Sequence, residues 1–357
     1  MKPFHFGIEH EVAFYRADGK FADFTNTRFE DFQQIVDRLP EYASDAEHLR
    51  SGDAGIRRKR WYIEGYERFS ADGKLLTCVP KGIEIRTTIH PGIQGVLNEL
   101  QDSYQLLVDM AGRYGYRPAP VSFNPQQVQF TPDPPLNAFE LEQRRNDTPE
   151  ERDTAHIPML TYGPDLSLSQ AGMSSTAIVD IASKLTYYSP FIVPFSFSSP
   201  FYAGEIWSGL SIRTWKRTGA RPAVLAFPPD SACLLHSNPT LTKAPRHPAE
   251  AGRIEFKAFD SSADFSLYAA LFALLKGLVL DDSLPGRAIV PNAHQHQVAA
   301  MQGFDNPLVF KFAWQVLYAA DKALAQDPDH ILLEPLFDML QSKRTPAHQL
   351  LEMRLCA

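Results

Sequence analysis

The stretch Phe6-Gly7-Ile8-Glu9-His10-Glu11-Val12 decides how this chain is read. Apolar and polar residues alternate through it, which is the period of a β-strand with one buried face. Side chains at i and i+2 share a strand face, so Glu9 and Glu11 project together. Two carboxylates on one face suit a hard divalent cation, Mg²⁺ or Mn²⁺, which takes oxygen ligands. Taken alone, the pair favours a plainer reading, a solvent-facing hairpin strand. Two further strands change that balance.

Glu84 lies in Gly82-Ile83-Glu84-Ile85-Arg86-Thr87, and Glu255 in Gly252-Arg253-Ile254-Glu255-Phe256-Lys257. Each has apolar neighbours on both sides and a cation two residues on, Arg86 and Lys257, on the same face. A cross-strand ion pair on an exposed sheet, worth at most ~1 kcal/mol, would explain one such strand. Three strands of one form point instead to a concave face carrying a row of acids and cations. Metal ions would sit at the acids, and substrate anions at Arg86 and Lys257. The sequence has no GxxxxGK[ST] phosphate loop and no GxGxxG. A bound nucleotide must therefore be held by metal and arginine.

Outward from these strands, residues 4–15 form a strand, 21–24 a return strand after Asp18-Gly19, and 29–39 a short amphipathic helix. Residues 57–69 and 75–89 read as a hairpin joined at Asp72-Gly73. A helix follows over 91–114, with Pro91 opening it and apolar residues at helical spacing. Residues 116–130 are extended, 137–152 a charged surface helix or lid, and 166–172 a short strand. A helix over 174–188 ends before Pro190, and 190–200 forms an irregular buried wall. Residues 253–259 are a strand, 264–279 an apolar helix, and the remainder is helical. This order predicts an α+β fold: a curved, mainly antiparallel sheet with helices packed on its outer face. No repeat or linker divides the chain, so residues 1–357 are expected to form one catalytic domain with a helical part over about 264–357.

The 357 residues carry 35 Lys plus Arg against 42 Asp plus Glu, a formal charge of −7, which disfavours a nucleic-acid binder. Apolar residues make up 44%, enough for a substantial core. Cys78, Cys233 and Cys356 are too scattered for a zinc site or a disulfide framework. No segment reads as a signal sequence or membrane span, so the expected location is the cytoplasm.

Four motifs in order resemble the glutamate–cysteine ligases of the plant and bacterial type and related bacterial carboxylate–amine ligases. They are Gly7-Ile8-Glu9-His10-Glu11, then Ser198-Ser199-Pro200-Phe201-Tyr202-Ala203-Gly204 with Gly209-Leu210-Ser211-Ile212-Arg213, then Arg253 to Asp260, then Ala299-Ala300-Met301-Gln302-Gly303-Phe304-Asp305. The resemblance implies a glutamine-synthetase-like fold whose concave face holds ATP, Mg²⁺ or Mn²⁺, and substrate. It implies amide formation, γ-glutamyl by default, through an acyl phosphate. On it, Glu9, Glu11, Glu84 and Glu255 are metal ligands. Arg213 contacts phosphate or a substrate carboxylate, and Arg86 and Lys257 bind ATP or substrate. Glu84 and Arg213 are the catalytic candidates. The sequence departs from the family at residues 166–172, which lack its H-x-H-x-G histidines, at Lys257, where an arginine is usual, and at Ser198, where an asparagine is usual.

The implied partners are a small carboxylate and an amine, glutamate and cysteine by default, with a peptide- or carrier-bound carboxylate as a further option and a homo-oligomer left open. The alternative reading is a degenerate member that binds nucleotide or amino acid without turnover, in a regulatory role. Among other features, Arg57-Arg58-Lys59-Arg60 reads as a solvated strand start or an anion attractor. Trp61, Tyr62 and Tyr66 read as core, His294 and His296 as surface histidines, and Cys78 and Cys233 as buried structural cysteines.

Overall fold

The computed structural model describes residues 2–49, 59–145 and 148–355. Its spine is β1 (Phe4–Arg16), where burial alternates residue by residue through the first eight positions. Phe6, Ile8 and His10 face the core; His5, Gly7, Glu9 and Glu11 face the other way. The core face packs on helices: the Phe6 ring meets Phe272 edge-on at 5.5 Å, and His10 is enclosed by Tyr104, Phe265 and Tyr268. Burial pushes the His10 imidazole down to about 3, so it stays neutral and serves the core.

The other strands are β2 (Phe21–Ala22), β3 (Trp61–Phe69), β4 (Leu75–Arg86), β5 (Tyr116–Ala119), β6 (Pro164–Gln170), β7 (Phe201–Tyr202), β8 (Glu205–Ile206), β9 (Val224–Ala226) and β10 (Ile254–Phe256). The main sheet runs β3-β4-β1-β6-β10-β9, with β2 and β5 on the far half of β1, and every pairing is antiparallel. The sheet curls into a half-barrel. Ile83, Ile85, Leu166, Leu168, Ile254 and Phe256 extend the apolar layer begun by β1. Helices Ile93–Arg113 and Ser266–Leu280 cover it.

Helix Ser266–Leu280 is apolar on nearly all sides because Pro307–Leu324 packs behind it. A Cβ on Gly277 would lie 2.6 Å from the Ala320 Cβ, so glycine is what lets these two helices approach. Lys276, the one charge inside this apolar helix, donates to Asp327 at 2.7 Å and Asp329 at 2.6 Å. Among the described residues, no helix is long and apolar enough to cross a membrane.

Several expected boundaries shift. The helix expected to stop before Pro190 runs on as Ser175–Ile192. Proline there leaves the Thr186 carbonyl without its amide donor, but the Ser189 hydroxyl donates to that carbonyl at 2.7 Å and the turn survives. The same hydroxyl meets His296 Nε2 at 2.8 Å. His296 is fully buried and pushed down to about 3 by burial, which corrects its reading as a surface histidine; His294 is exposed. The charged stretch 137–152 is two short helices, Ala138–Gln143 and Pro149–Asp153. Extended structure after Tyr116 ends at Ala119. Edge strand β9 and the β7–β8 ribbon were not anticipated, being only two or three residues long between prolines and glycines. Of the basic run, Arg57 and Arg58 lie outside the described residues, as does Cys356.

Ser189→Ala removes the donor for Thr186 and the partner of His296 together. We expect a loss of about 1–3 kcal/mol in urea unfolding with an unchanged m-value. A loss below about 0.5 kcal/mol would show that the helix end does not depend on this hydroxyl.

Candidate functional site

Strand register assembles the acids. Glu9 pairs with Arg86 on one side and Asp165 on the other, and Glu11 pairs with Glu84. Tyr62 pairs with Glu84, Glu64 with Gly82, and Glu255 with Ser167. The period-2 alternation that buries the apolar residues therefore delivers every one of these polar side chains to the concave face.

They form two groups. In the first, carboxylate oxygens of Glu11, Glu64 and Glu84 all lie within 4.8 Å of one another. Glu84 is 5% exposed, and its Oε1 is buried without a hydrogen-bond partner among the described residues. Lys81 Nζ donates to Glu11 Oε1 at 2.8 Å and stands 3.9 Å from Glu64 Oε1. Glu11 Oε2 accepts the Gly163 N–H at 3.0 Å. Burial, followed by the charges of Glu9, Glu64 and Glu11, holds the Glu84 carboxyl well above its ordinary range. Burial likewise raises Glu64, against the pull of Lys81 and with the push of Glu11, to about 7. The Tyr62 phenol faces both carboxylates and is itself raised, by burial first and then by their charge.

In the second group, Glu255 Oε1 lies 2.5 Å from Arg253, and Lys257 binds both Asp165 and Glu255 Oε2, the latter at 3.4 Å. Burial alone would lower the Lys257 ammonium, but Asp165, Glu255 and Glu9 outweigh it and raise it. Glu9 is raised by burial and by Glu255, against Arg253. The Arg86 guanidinium lies over the Tyr62 ring at 4.5 Å and donates to the Lys59 carbonyl at 2.7 Å.

A cleft of about 290 Å³ opens on this face, lined by Glu9, Glu84, Arg86, Glu255 and Lys257 and, among others, by Gly7, Ser167, Ser169, Lys243 and Arg246. A second cavity of about 300 Å³, mostly apolar, holds Tyr66, Phe130, Leu136, Arg144 and Arg152. Tyr62, Glu64 and Tyr66 stand two residues apart along β3, so the three-carboxylate cluster separates cleft from cavity.

Of the residues expected from the sequence, Glu11 and Glu84 share the cluster. Glu9, Glu255, Arg86 and Lys257 line the cleft beside it. Arg213 does not line the cleft. It is 3% exposed on helix Ile212–Arg217, with Nη2 donating to the Lys257 carbonyl at 3.2 Å and Nη1 3.9 Å from Asp260. Its guanidinium fills the space a side chain at Gly163 would need: a Cβ there would lie 2.5 Å from Nη2. Arg213 Nε and Nη1 are buried without hydrogen-bond partners among the described residues. Trp61 is core as read, but Tyr62 and Tyr66 belong to the site. Cys78 is buried, and burial pushes its thiol up to about 12; Cys233 is half-buried.

Sequence reading missed Glu64, Lys81, Asp165 and Arg253. Glu64 and Lys81 sit near the hairpin's irregular pairing, which no local spacing reports. Asp165 was hidden behind Pro164, just before the expected strand start. Arg253 could have been found, two residues before Glu255 on the same face.

A hard, oxygen-only donor set with a buried, partnerless carboxylate oxygen fits a divalent cation. The fold has known company. The chain superposes over 99% of its length on 85% of the glutamate–cysteine ligase of Francisella tularensis crystallised with AMP, at 12% identity and TM-score 0.57. It covers half of a bifunctional glutathione synthetase from Pasteurella multocida, using 98% of its own length, at 11% identity and TM-score 0.59. It also matches the complex of the prokaryotic ubiquitin-like protein Pup and its ligase PafA, over 96% of this chain and 65% of that one, at 11% identity and TM-score 0.50. No family model and no curated protein matches the chain. These likenesses show the glutamine-synthetase-like fold of carboxylate–amine ligases.

Glu64, raised from 4.5 to about 7, binds more protons folded than unfolded. Its contribution is therefore fully present below pH 4.5 and lost as pH rises through about 7, a swing on the order of 3 kcal/mol. In EDTA, unfolding free energy should fall across this window. Glu64→Gln should flatten the fall, and Mn²⁺ should raise the wild-type midpoint more at pH 7.5 than at pH 5. An identical pH profile in the variant would exclude Glu64 as the cause.

Proposed function

We propose that the chain is an ATP- and Mg²⁺- or Mn²⁺-dependent ligase that joins a carboxylate to an amine through an acyl phosphate, working as one catalytic unit. The observation that carries this is the buried Glu11–Glu64–Glu84 cluster, set between a cation-lined cleft and an aromatic cavity on the concave face of this fold. The cavity, with the Tyr66 and Phe130 rings 5.0 Å apart and the Arg144 guanidinium over Tyr66 at 5.0 Å, suits a purine base. The cleft suits the acid, with Arg86, Arg253 and Lys257 to recognise its carboxylates. Glutamate is the default acid and cysteine the default amine. A peptide-bound carboxylate is the further option.

A divalent cation bound at Glu11, Glu64 and Glu84 supplies neutralisation of phosphate charge. Glu9 and Glu255 remain proposed ligands of a further ion on the cleft side. The chain's own residues do the rest. Gly163 fixes the Glu11 carboxylate through its amide, and Arg213, packed against Gly163 and bonded to the Lys257 carbonyl, holds both in place from behind the cleft. Glu84 reaches both cluster and cleft, so it is the carboxylate best placed to meet the amine's proton.

Ser167 and Ser169 line the cleft in the stretch where the resemblance expects histidines. That favours a second reading, nucleotide or amino-acid binding without turnover.

Purified chain with ATP, Mg²⁺ and a panel of acids and amines should release phosphate only when an acid and an amine are both present. Calorimetric ATP–Mg²⁺ binding without release from any pair would support the second reading instead. Arg213→Lys, which keeps a cation beside the buried Asp260, should lower kcat about tenfold, as expected for a residue that positions the Glu11–Gly163 contact. An unchanged kcat would remove Arg213 from the reaction.

A further inference from the structure

Lys81 is the most enclosed cation of the site, with its side chain 2% exposed. It reaches the concave face by an irregularity in the hairpin. Glu64 of β3 pairs with Gly82 of β4, but the next residue, Gly65, pairs with Pro80. Lys81 is thus the extra residue of a β-bulge, a device that turns a side chain away from its alternating position. Strict alternation from Glu84 would send Gly82 to the concave face and residue 81 to the opposite one. Glycines permit the bulge: a Cβ on Gly65 would lie 2.1 Å from the Val79 carbonyl oxygen, and one on Gly82 2.4 Å from that of Val12.

Once turned, the ammonium is fully engaged. Its three N–H groups meet Glu11 Oε1 at 2.8 Å, the Pro158 carbonyl at 2.7 Å and the Thr161 carbonyl at 2.9 Å. Glu64 Oε1 is 3.9 Å away, and the Tyr162 ring 5.4 Å. Two carbonyls and a carboxylate around a buried +1 charge are the surroundings of a bound monovalent cation. Three carboxylates less one ammonium leave a charge of −2, which one divalent ion neutralises. Each Glu11 oxygen already accepts one hydrogen bond, Oε1 from Lys81 and Oε2 from the Gly163 amide, which leaves one lone-pair site on each for an ion.

We propose that Lys81 is a built-in cation of the metal centre, a positioning residue that takes the place of a second ion and limits the Glu11–Glu64–Glu84 cluster to one divalent cation. The inference rests on the metal-dependent reading above, but its test needs no turnover.

The full chain is titrated with Mn²⁺ alone, without nucleotide, acid or amine, by calorimetry and by electron paramagnetic resonance counting of free Mn²⁺. Lys81→Met should bind one more Mn²⁺ per chain than wild type, or bind the cluster ion about tenfold tighter or more, since a +1 charge a few ångströms away has been removed. Lys81→Ala should gain a rise in thermal midpoint with K⁺ or methylammonium, occupying the vacated place, that wild type lacks. An unchanged count and affinity in a folded Lys81→Met chain overturns the proposal, as does weaker Mn²⁺ binding there, or a wild type that binds no Mn²⁺. If Lys81→Met does not fold, Lys81→Gln keeps donors for the two carbonyls without the charge and carries the same comparison. A chain that passes this test yet releases no phosphate with any acid and amine defeats the ligase reading and leaves the role of Lys81 standing.

Discussion

Repulsion among carboxylates is the constraint on which the site is built. Six acids, Glu9, Glu11, Glu64, Glu84, Asp165 and Glu255, face one concave surface, and the raised positions of Glu9, Glu64 and Glu84 show how poorly burial tolerates their charge. Folded stability is marginal, so such crowding must be offset locally. The two groups solve it differently. Around Glu255 the strand itself carries the cations, Arg253 and Lys257, at the alternate positions on either side. Around Glu84 no described strand position supplies a hydrogen-bonded cation for Oε1, and of the three clustered carboxylates the bulged Lys81 hydrogen-bonds that of Glu11. The residual negative charge is where an external divalent cation gains most.

The same alternation ties site to core. A slip of β1 by one residue would bury Glu9 and Glu11 and expose Phe6, Ile8 and His10. The aromatic cage around His10 and the Phe6–Phe272 contact hold the register against that slip. The helices behind the sheet, far from any substrate, are thus what fixes the acids in their places. Close packing extends this to the second layer: the Gly277–Ala320 approach lets helix Pro307–Leu324 press on the helix that contacts Phe6.

What could be read from the sequence follows from this division of labour. Period-2 patterns are local, so β1, β4 and β10 and their acids Glu9, Glu11, Glu84 and Glu255 stood out, as did the antiparallel α+β architecture. Irregular backbone is set by contacts distant in sequence. The bulge at Lys81 depends on Val12 and Tyr162, and the continuation of a helix through Pro190 depends on a hydroxyl. Arg213 was found by motif, yet its place beside Gly163, away from the cleft, depends on Ser211 capping its helix and on Asp260 gathering Ser198, Ser199 and Ser211. Such a network has no sequence period.

Low identity to proteins of the same fold is a consequence of the same physics. Alternation asks only that one face be apolar, and Phe, Ile, Leu or Val meets that demand about equally well if volume is kept. A sheet specified this way can retain its curl at 11–12% identity. The demands that do not relax are of another kind: a carboxylate where a cation must bind, glycine at 163 where a guanidinium occupies the place of a side chain, and glycines at 65 and 82 where a bulge must form. Gly7, Ser167, Ser169, Lys243 and Arg246, which line the cleft among the acids, belong to neither set. The acid cluster and the serines that line the cleft thus answer to different constraints, so either can change while the sheet and the other stay as they are.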